Sequence, residues 1–143
     1  MQIKDVMTSN VEVVHPDTTL QDAAKKMKDL DVGSLPVCDG QRLLGTVTDR
    51  DITVRAVAEG RNPTTTPVRE VMTSGIVYCF EDQDVREAAK LMKEKQIRRL
   101  PILNRDKRLV GIVSLGDLAV DTGNEKMAGQ TLTKVSEPAQ PER

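Results

Sequence analysis

Two seven-residue segments hold the residues best placed to do chemistry. Gly45-Thr46-Val47-Thr48-Asp49-Arg50-Asp51 and Gly111-Ile112-Val113-Ser114-Leu115-Gly116-Asp117 each close a β-prone run with a hydroxyl followed, three residues on, by a carboxylate. Where a strand passes into a helix, that spacing supports two readings. In the first, the hydroxyl and the acid form a capping box that satisfies the free amides of the helix start. Asp weakens this reading, because it reaches back less easily than the usual Glu or Gln. In the second, the same free amides attract a phosphate, the hydroxyl donates to it, and Asp51 or Asp117 accepts hydrogen bonds from ribose hydroxyls. Both readings stay open on these residues alone.

Little else in the chain competes for a chemical role. His15 is the one histidine of 143 residues, which leaves no multi-histidine metal site and a single candidate base for a nucleophilic triad. It precedes Pro16 and reads as a solvated turn residue. Cys38 and Cys79 each sit inside an apolar run and read as reduced, buried thiols. Met27 and Met92 fall on apolar helix faces and need no cofactor to explain them. The net charge is −1, and Tyr78 and Phe80 are the only aromatic side chains of the Phe, Trp and Tyr class. A nucleic-acid binder needs excess cations and, for single strands, a stacking platform, so neither fits. Lys90 to Arg99 is basic but broken by Leu91 and Glu94, and reads as a solvated helix face. No apolar run has the length of a membrane span or a signal peptide, so a cytoplasmic chain with no membrane contact is expected. Leu, Ile, Val and Phe make up about a quarter of the residues, enough for a packed core.

The elements that would position the two segments are themselves duplicated. Val6-Met7-Thr8-Ser9 recurs as Val71-Met72-Thr73-Ser74, an offset of 65 that also maps Asp17 onto Asp82, Ala23-Ala24-Lys25 onto Ala88-Ala89-Lys90, and Leu35-Pro36 onto Leu100-Pro101. After one inserted residue the offset becomes 66, pairing Gly45, Val47 and Asp51 with Gly111, Val113 and Asp117. The copies span residues 3–59 and 68–121, with a linker at 60–67 and a polar tail at 122–143.

Each copy predicts the same order of elements. Val11 to Val14 and Ile76 to Phe80 read as short strands. Helices follow with apolar faces Leu20, Ala23, Ala24, Met27 and Val85, Ala88, Ala89, Met92. Leu35 to Cys38 and Leu43 to Thr48 form a hairpin around Asp39-Gly40, matched by Leu100 to Leu103 and Leu109 to Ser114. A second helix starts near Asp49 and near Leu115. In the tail, Asn124 to Val135 predicts a short helix with Met127, Leu132 and Val135 on one side, and Ser136 to Arg143 reads as frayed. The fold class is α/β (α+β), with tandem β-α-β-β-α repeats. One repeat is too small to bury both faces of its sheet, so the two pack about a pseudo-two-fold axis.

With Val-Met-Thr opening each copy, Leu-Pro opening the second strand and Gly-h-h-Thr/Ser-x-x-Asp closing the third, residues 3–121 resemble a CBS-domain pair, the Bateman module, of the stand-alone bacterial type. The resemblance implies two clefts between the repeats that bind an adenosine-containing ligand: AMP, ADP, ATP or S-adenosylmethionine. By position, one cleft would use Thr46, Thr48, Arg50, Asp51 and Thr73, with the backbone near Ile76 to Tyr78 around adenine. The other would use Ile112, Ser114, Asp117 and Thr8, with the backbone near Val11 to Val13, and Val32 of the opposite copy. Arg98 and Arg99, just before Leu-Pro, stand where similar proteins place cations toward phosphate; the first copy has Gly33 and Ser34 there.

The resemblance further implies a regulatory role without catalysis, no metal or cofactor, a disc-shaped homodimer, and signalling in trans to an unknown protein partner. The competing reading is a ligand-free dimerisation or protein-interaction module in which the Thr/Ser-x-x-Asp segments only cap helices. Against an enzyme, such as a nucleotide hydrolase, the sequence offers no Walker-type loop, no metal cluster and no nucleophile–base pair.

Overall fold

A computed structural model describes residues 1–121 and 125–136. Asn124 and residues 137–143, which include the expected frayed end, lie outside them. The chain forms two compact units. Residues 12–76 make one; residues 1–11 together with 77 onward make the other, called here the split unit.

In the 12–76 unit, helix α1 spans Leu20–Leu30 and starts where Thr19 Oγ1 accepts from the Asp22 amide at 3.2 Å. It ends in a Schellman turn: Asp31 sits at φ 54°, and the Val32 amide returns to the Met27 carbonyl at 3.0 Å. Strands β1 (Ser34–Asp39) and β2 (Arg42–Thr48) pair antiparallel around Gly40 at φ 61°. The expected strand at Val11 to Val14 is reduced to a single parallel bridge, Val14 to Val37. Helix α2 (Asp49–Ile52) runs on into a π-type turn, with the Ala58 amide on the Thr53 carbonyl at 2.9 Å. Leu20, Ala23, Met27, Val37, Val47 and Val68 share the core. Ala24, expected on that face, is exposed: nothing in this unit lies over the side of α1 it occupies.

In the split unit, the Ile76 to Phe80 run narrows to β3, Cys79–Phe80, parallel to β4 (Arg99–Leu103). Helix α3 (Val85–Lys95) lies between them in sequence, capped by Asp84 and ended by Gln96 at φ 52°. The Arg86 guanidinium, followed by the Arg86 amide, holds the Asp84 carboxyl down at about 2. Strand β5 (Leu109–Ser114) pairs antiparallel with β4, giving the order β3-β4-β5. Helices α4 (Leu115–Asp121) and α5 (Glu125–Val135) follow, and α5 packs on α3 and α4. The buried side of α5 carries Met127 and Thr131, with Val135 half-buried. Leu132, expected inward, is 44% exposed, because the buried positions recur every four residues.

The leaders dock in a matched way. In the split unit the Ile3 amide donates to the Gln83 carbonyl and the Val85 amide to the Met1 carbonyl. In the 12–76 unit the Val68 amide donates to the Thr18 carbonyl and the Leu20 amide to the Thr66 carbonyl. In each, the first free amide of the long helix is satisfied by the residues that lead into the other sequence copy, Met1 in one unit and Thr66 in the other. The 60–67 linker is therefore a structural piece of the 12–76 unit.

Candidate functional site

The site starts from a crossing of backbones. In the 12–76 unit, Thr46 and Thr73 exchange backbone hydrogen bonds of 3.0 and 2.8 Å, so Val71-Met72-Thr73 runs across the end of β2. A Cβ on Gly45 would stand 2.3 Å from the Thr73 carbonyl oxygen, a distance only glycine permits. In the split unit Thr8 and Ile112 exchange bonds of 2.8 and 3.0 Å, and a Cβ on Gly111 would stand 2.5 Å from Met7 Sδ. The glycine of each motif is thus explained by the threonine leader that lies over it.

Beyond each crossing the strand turns into a helix through a completed capping box. Thr48 Oγ1 accepts from the Asp51 amide at 3.0 Å, and Asp51 Oδ2 accepts from the Thr48 amide at 3.0 Å. Ser114 Oγ accepts from the Asp117 amide at 3.1 Å, and Asp117 Oδ2 accepts from the Ser114 amide at 2.8 Å. The expectation that Asp reaches back less easily is corrected: both aspartates close the box. The reason is local, since Thr48 is fully extended at φ −115° and ψ 160° and brings its amide toward the third residue. The box uses Oδ2 of each carboxylate and holds the group in one orientation; a carboxylate accepts on both oxygens.

The two corners differ in charge. At the 12–76 corner, Asp51 Oδ1 lies 3.9 Å from Arg55 Nε, and Arg55 Nη1 donates to the Val71 and Met72 carbonyls at 3.1 and 3.3 Å. Arg55 was missed in the sequence, although its position four residues after Asp51 is the spacing of a helical ion pair. It ties the helix to the threonine leader. Arg50 is exposed on the first turn of α2, and its own amide is bonded to Asp49 Oδ1 at 2.8 Å. Gly33 faces the Asp49 carboxylate, whose Oδ2 would be 3.1 Å from a Cβ there.

At the split-unit corner, the residues matching Gly33 and Ser34 are Arg98 and Arg99. Arg99 pairs with Ser114 in the β4–β5 register, and the Arg98 carbonyl accepts from the Leu115 amide at 2.9 Å. Both side chains are exposed, and among the described residues neither makes an ion pair or a side-chain hydrogen bond.

The structure therefore brings Thr46, Thr48, Asp51 and Thr73 together in one unit, and Thr8, Ile112, Ser114, Asp117, Arg98 and Arg99 in the other. Ile76 and Val32 belong to the 12–76 unit, with Val32 half-buried against its core; Val11 and Tyr78 belong to the split unit. Tyr78 stands edge-on to Phe80 with ring centroids 5.4 Å apart, and Arg105 lies over the Phe80 ring at 4.1 Å. Burial pushes the thiols of Cys38 and Cys79 up to about 11, against activation as nucleophiles. Among the described residues no three His, Cys, Asp or Glu side chains are grouped to hold a metal ion.

Comparison with known proteins gives this arrangement a lineage. The CBS-domain family model matches residues 3–57 and 68–120. The CBS domain-containing protein YhcV of Bacillus subtilis is 46% identical over 134 residues, 94% of each chain. A crystal structure of Hypoxic Response Protein I with two coordinated zinc ions superposes with a TM-score of 0.76 at 38% identity, covering 83% of this chain and 97% of that one. CBSX2 in complex with AMP gives 0.74 at 27% identity, covering 87% and 98%. The CBS domain pair of protein MJ0100 in complex with 5′-methylthioadenosine and S-adenosyl-L-methionine gives 0.73 at 26%, with the same coverages.

Proposed function

Because the chain belongs to the CBS-domain family and carries two copies of the domain, we propose that it is a regulatory module that binds an adenosine-containing ligand at its two hydroxyl–acid corners. The observation that carries this reading is the pair of oriented carboxylates. Asp51 and Asp117 each have Oδ2 fixed by the capping box, beside a threonine leader held against the strand by a glycine contact. A carboxylate so oriented suits the two hydroxyls of a ribose. The neighbours crystallised with AMP, methylthioadenosine and S-adenosylmethionine support the adenosine class.

The charge difference divides the two corners. Arg98 and Arg99 beside Ser114 suit a phosphorylated ligand such as AMP, ADP or ATP, since guanidinium groups bind phosphate with charge-assisted hydrogen bonds. The 12–76 corner, with Asp49 next to Gly33 and Arg55 already engaged, suits a ligand with less negative charge. The module has no catalytic role of its own; it acts in trans on a protein partner and works as a homodimer.

The test is titration calorimetry with AMP, ADP, ATP, S-adenosylmethionine and NAD. Affinity is the readout, because Asp51→Ala and Asp117→Ala each also open a capping box and lower the melting temperature by themselves. Binding by the parent chain that survives both substitutions overturns the site. No binding at millimolar ligand, with a stable dimer in light scattering, leaves the interaction-module reading.

A further inference from the structure

The duplication contains its own control for one surface. Helices α1 and α3 are copies, so Ala24, Lys25 and Lys28 correspond to Ala89, Lys90 and Lys93. Ala24 is exposed, whereas Ala89 is 2% exposed. In the split unit α5 lies against α3 and places Met127 in the same core as Ala89. It turns an open helix face into a groove of about 320 Å³, with Ala89 and Met127 on its floor and Arg86, Lys90, Lys93 and Lys126 along its sides.

The cations of this groove are largely uncommitted. Arg86 Nε is held by Asp84 Oδ1 at 3.0 Å. Among the described residues, Lys90, Lys93 and Lys126 make no ion pair and no side-chain hydrogen bond. Glu87 and Glu94 stand three and four residues from Lys90 on α3, spacings at which helical pairs form, yet neither is paired with it.

We infer that this groove is a docking site for an acidic peptide segment of a partner protein. Arg86, Lys90 and Lys93 run along α3 as a row about 10 Å long, given a rise of about 1.5 Å per residue. A single phosphate is bound by donors that converge on a point; these are strung out. An extended peptide places alternate side chains about 6.5–7 Å apart, so two or three carboxylates span the row. The residues between them point to the opposite face of the strand, so aliphatic residues there keep the carboxylates together on the row. Nucleic acid is a poorer fit, because no aromatic side chain lines the groove and the chain as a whole carries a net charge of −1. Exposed ion pairs each contribute little, so the complex is weak and sensitive to salt. This inference does not rest on the nucleotide corners, whose residues it does not use.

The experiment titrates the full ¹⁵N-labelled chain at low ionic strength with a short blocked peptide alternating glutamate and leucine, and with its glutamine–leucine counterpart. The expected result is saturable amide shifts confined to α3 and α5 for the acidic peptide only. Lys90→Glu with Lys93→Glu weakens binding by about tenfold or more. Lys25→Glu with Lys28→Glu, at the matching positions of α1, leaves it within about twofold. Melting curves of both double variants confirm that they fold. Equal loss from the two double variants, shifts scattered over both units, or equal binding of the glutamine peptide overturns the proposal. Saturation of the same residues by inorganic tripolyphosphate or oligothymidylate at lower concentration than the peptide also overturns it.

Discussion

The two motif glycines are the residues whose substitution the structure grades most clearly. A methyl group on Gly45 meets a backbone carbonyl at 2.3 Å, and that carbonyl is fixed by the bonds between Thr46 and Thr73. A methyl group on Gly111 meets first the Met7 side chain, which can swing aside, and then the Thr8 carbonyl at 3.0 Å. Gly45→Ala is therefore expected to cost about 2–3 kcal/mol and Gly111→Ala about 1–2; chemical denaturation of each checks the order. The buried thiols set an alkaline limit. Their folded values of about 11 lie above the ordinary 9.0, so folding favours the protonated thiol. That stabilisation is complete below pH 9 and is lost as pH rises from 9 toward 11, while the unfolded chain ionises first. Denaturant midpoints measured across that range should fall, and Cys38→Ala with Cys79→Ala should flatten the fall. At this scale the sequence was readable in kind and incomplete in detail. Thr48, Asp51, Ser114 and Asp117 stood out because they are spaced alike twice. The role of Gly45 could not be read, because the carbonyl it makes room for lies 28 residues away in the chain.

Among the elements, the long helices were legible because their faces repeat at helical spacing and their caps are short-range. What the pattern could not give was coverage. Ala24 and Ala89 occupy the same place in identical Ala-Ala-Lys triplets, and only α5 decides which is buried. The first strands were over-read for a similar reason: Val11 to Val14 is apolar enough to be a strand, but β1 takes up only Val14 from it. The helix ends give a prediction of their own. Asp31 and Gln96 hold φ values of 54° and 52°, which cost an L-residue about 1 kcal/mol and glycine almost nothing. Asp31→Gly and Gln96→Gly should each raise stability by about 0.5–1 kcal/mol, visible as a melting increase of a few degrees. At the neighbouring corner, Arg98→Ala with Arg99→Ala should weaken ATP binding by about tenfold or more and adenosine binding by far less. Calorimetry on the two ligands separates that effect from a general loss of fold.

For the whole molecule, the compact units decide which pieces can stand alone. Residues 12–76 contain their own core, with Val68 and Val71 from beyond the linker packed beside Leu20 and Val37. A fragment of residues 12–76 should give a cooperative melt and dispersed amide signals. A fragment ending at residue 59 lacks Val68, Val71 and the Thr66 carbonyl that receives the Leu20 amide, and should not. The duplication was plain in the sequence, because identical residues align along its length. The exchange of leaders was not, since Val6-Met7-Thr8 and Val71-Met72-Thr73 are alike enough to serve either sheet.

That exchange sets an order on synthesis. Ile3 and Val6 are 0% and 5% exposed once packed, but the strand and helix that cover them are encoded after residue 77. As the chain emerges from the ribosome, residues 12–76 can close first, while residues 1–11 wait in water until the elements beyond residue 77 are made. Residues 1–11, made ahead of residues 12–76, find their place only after them.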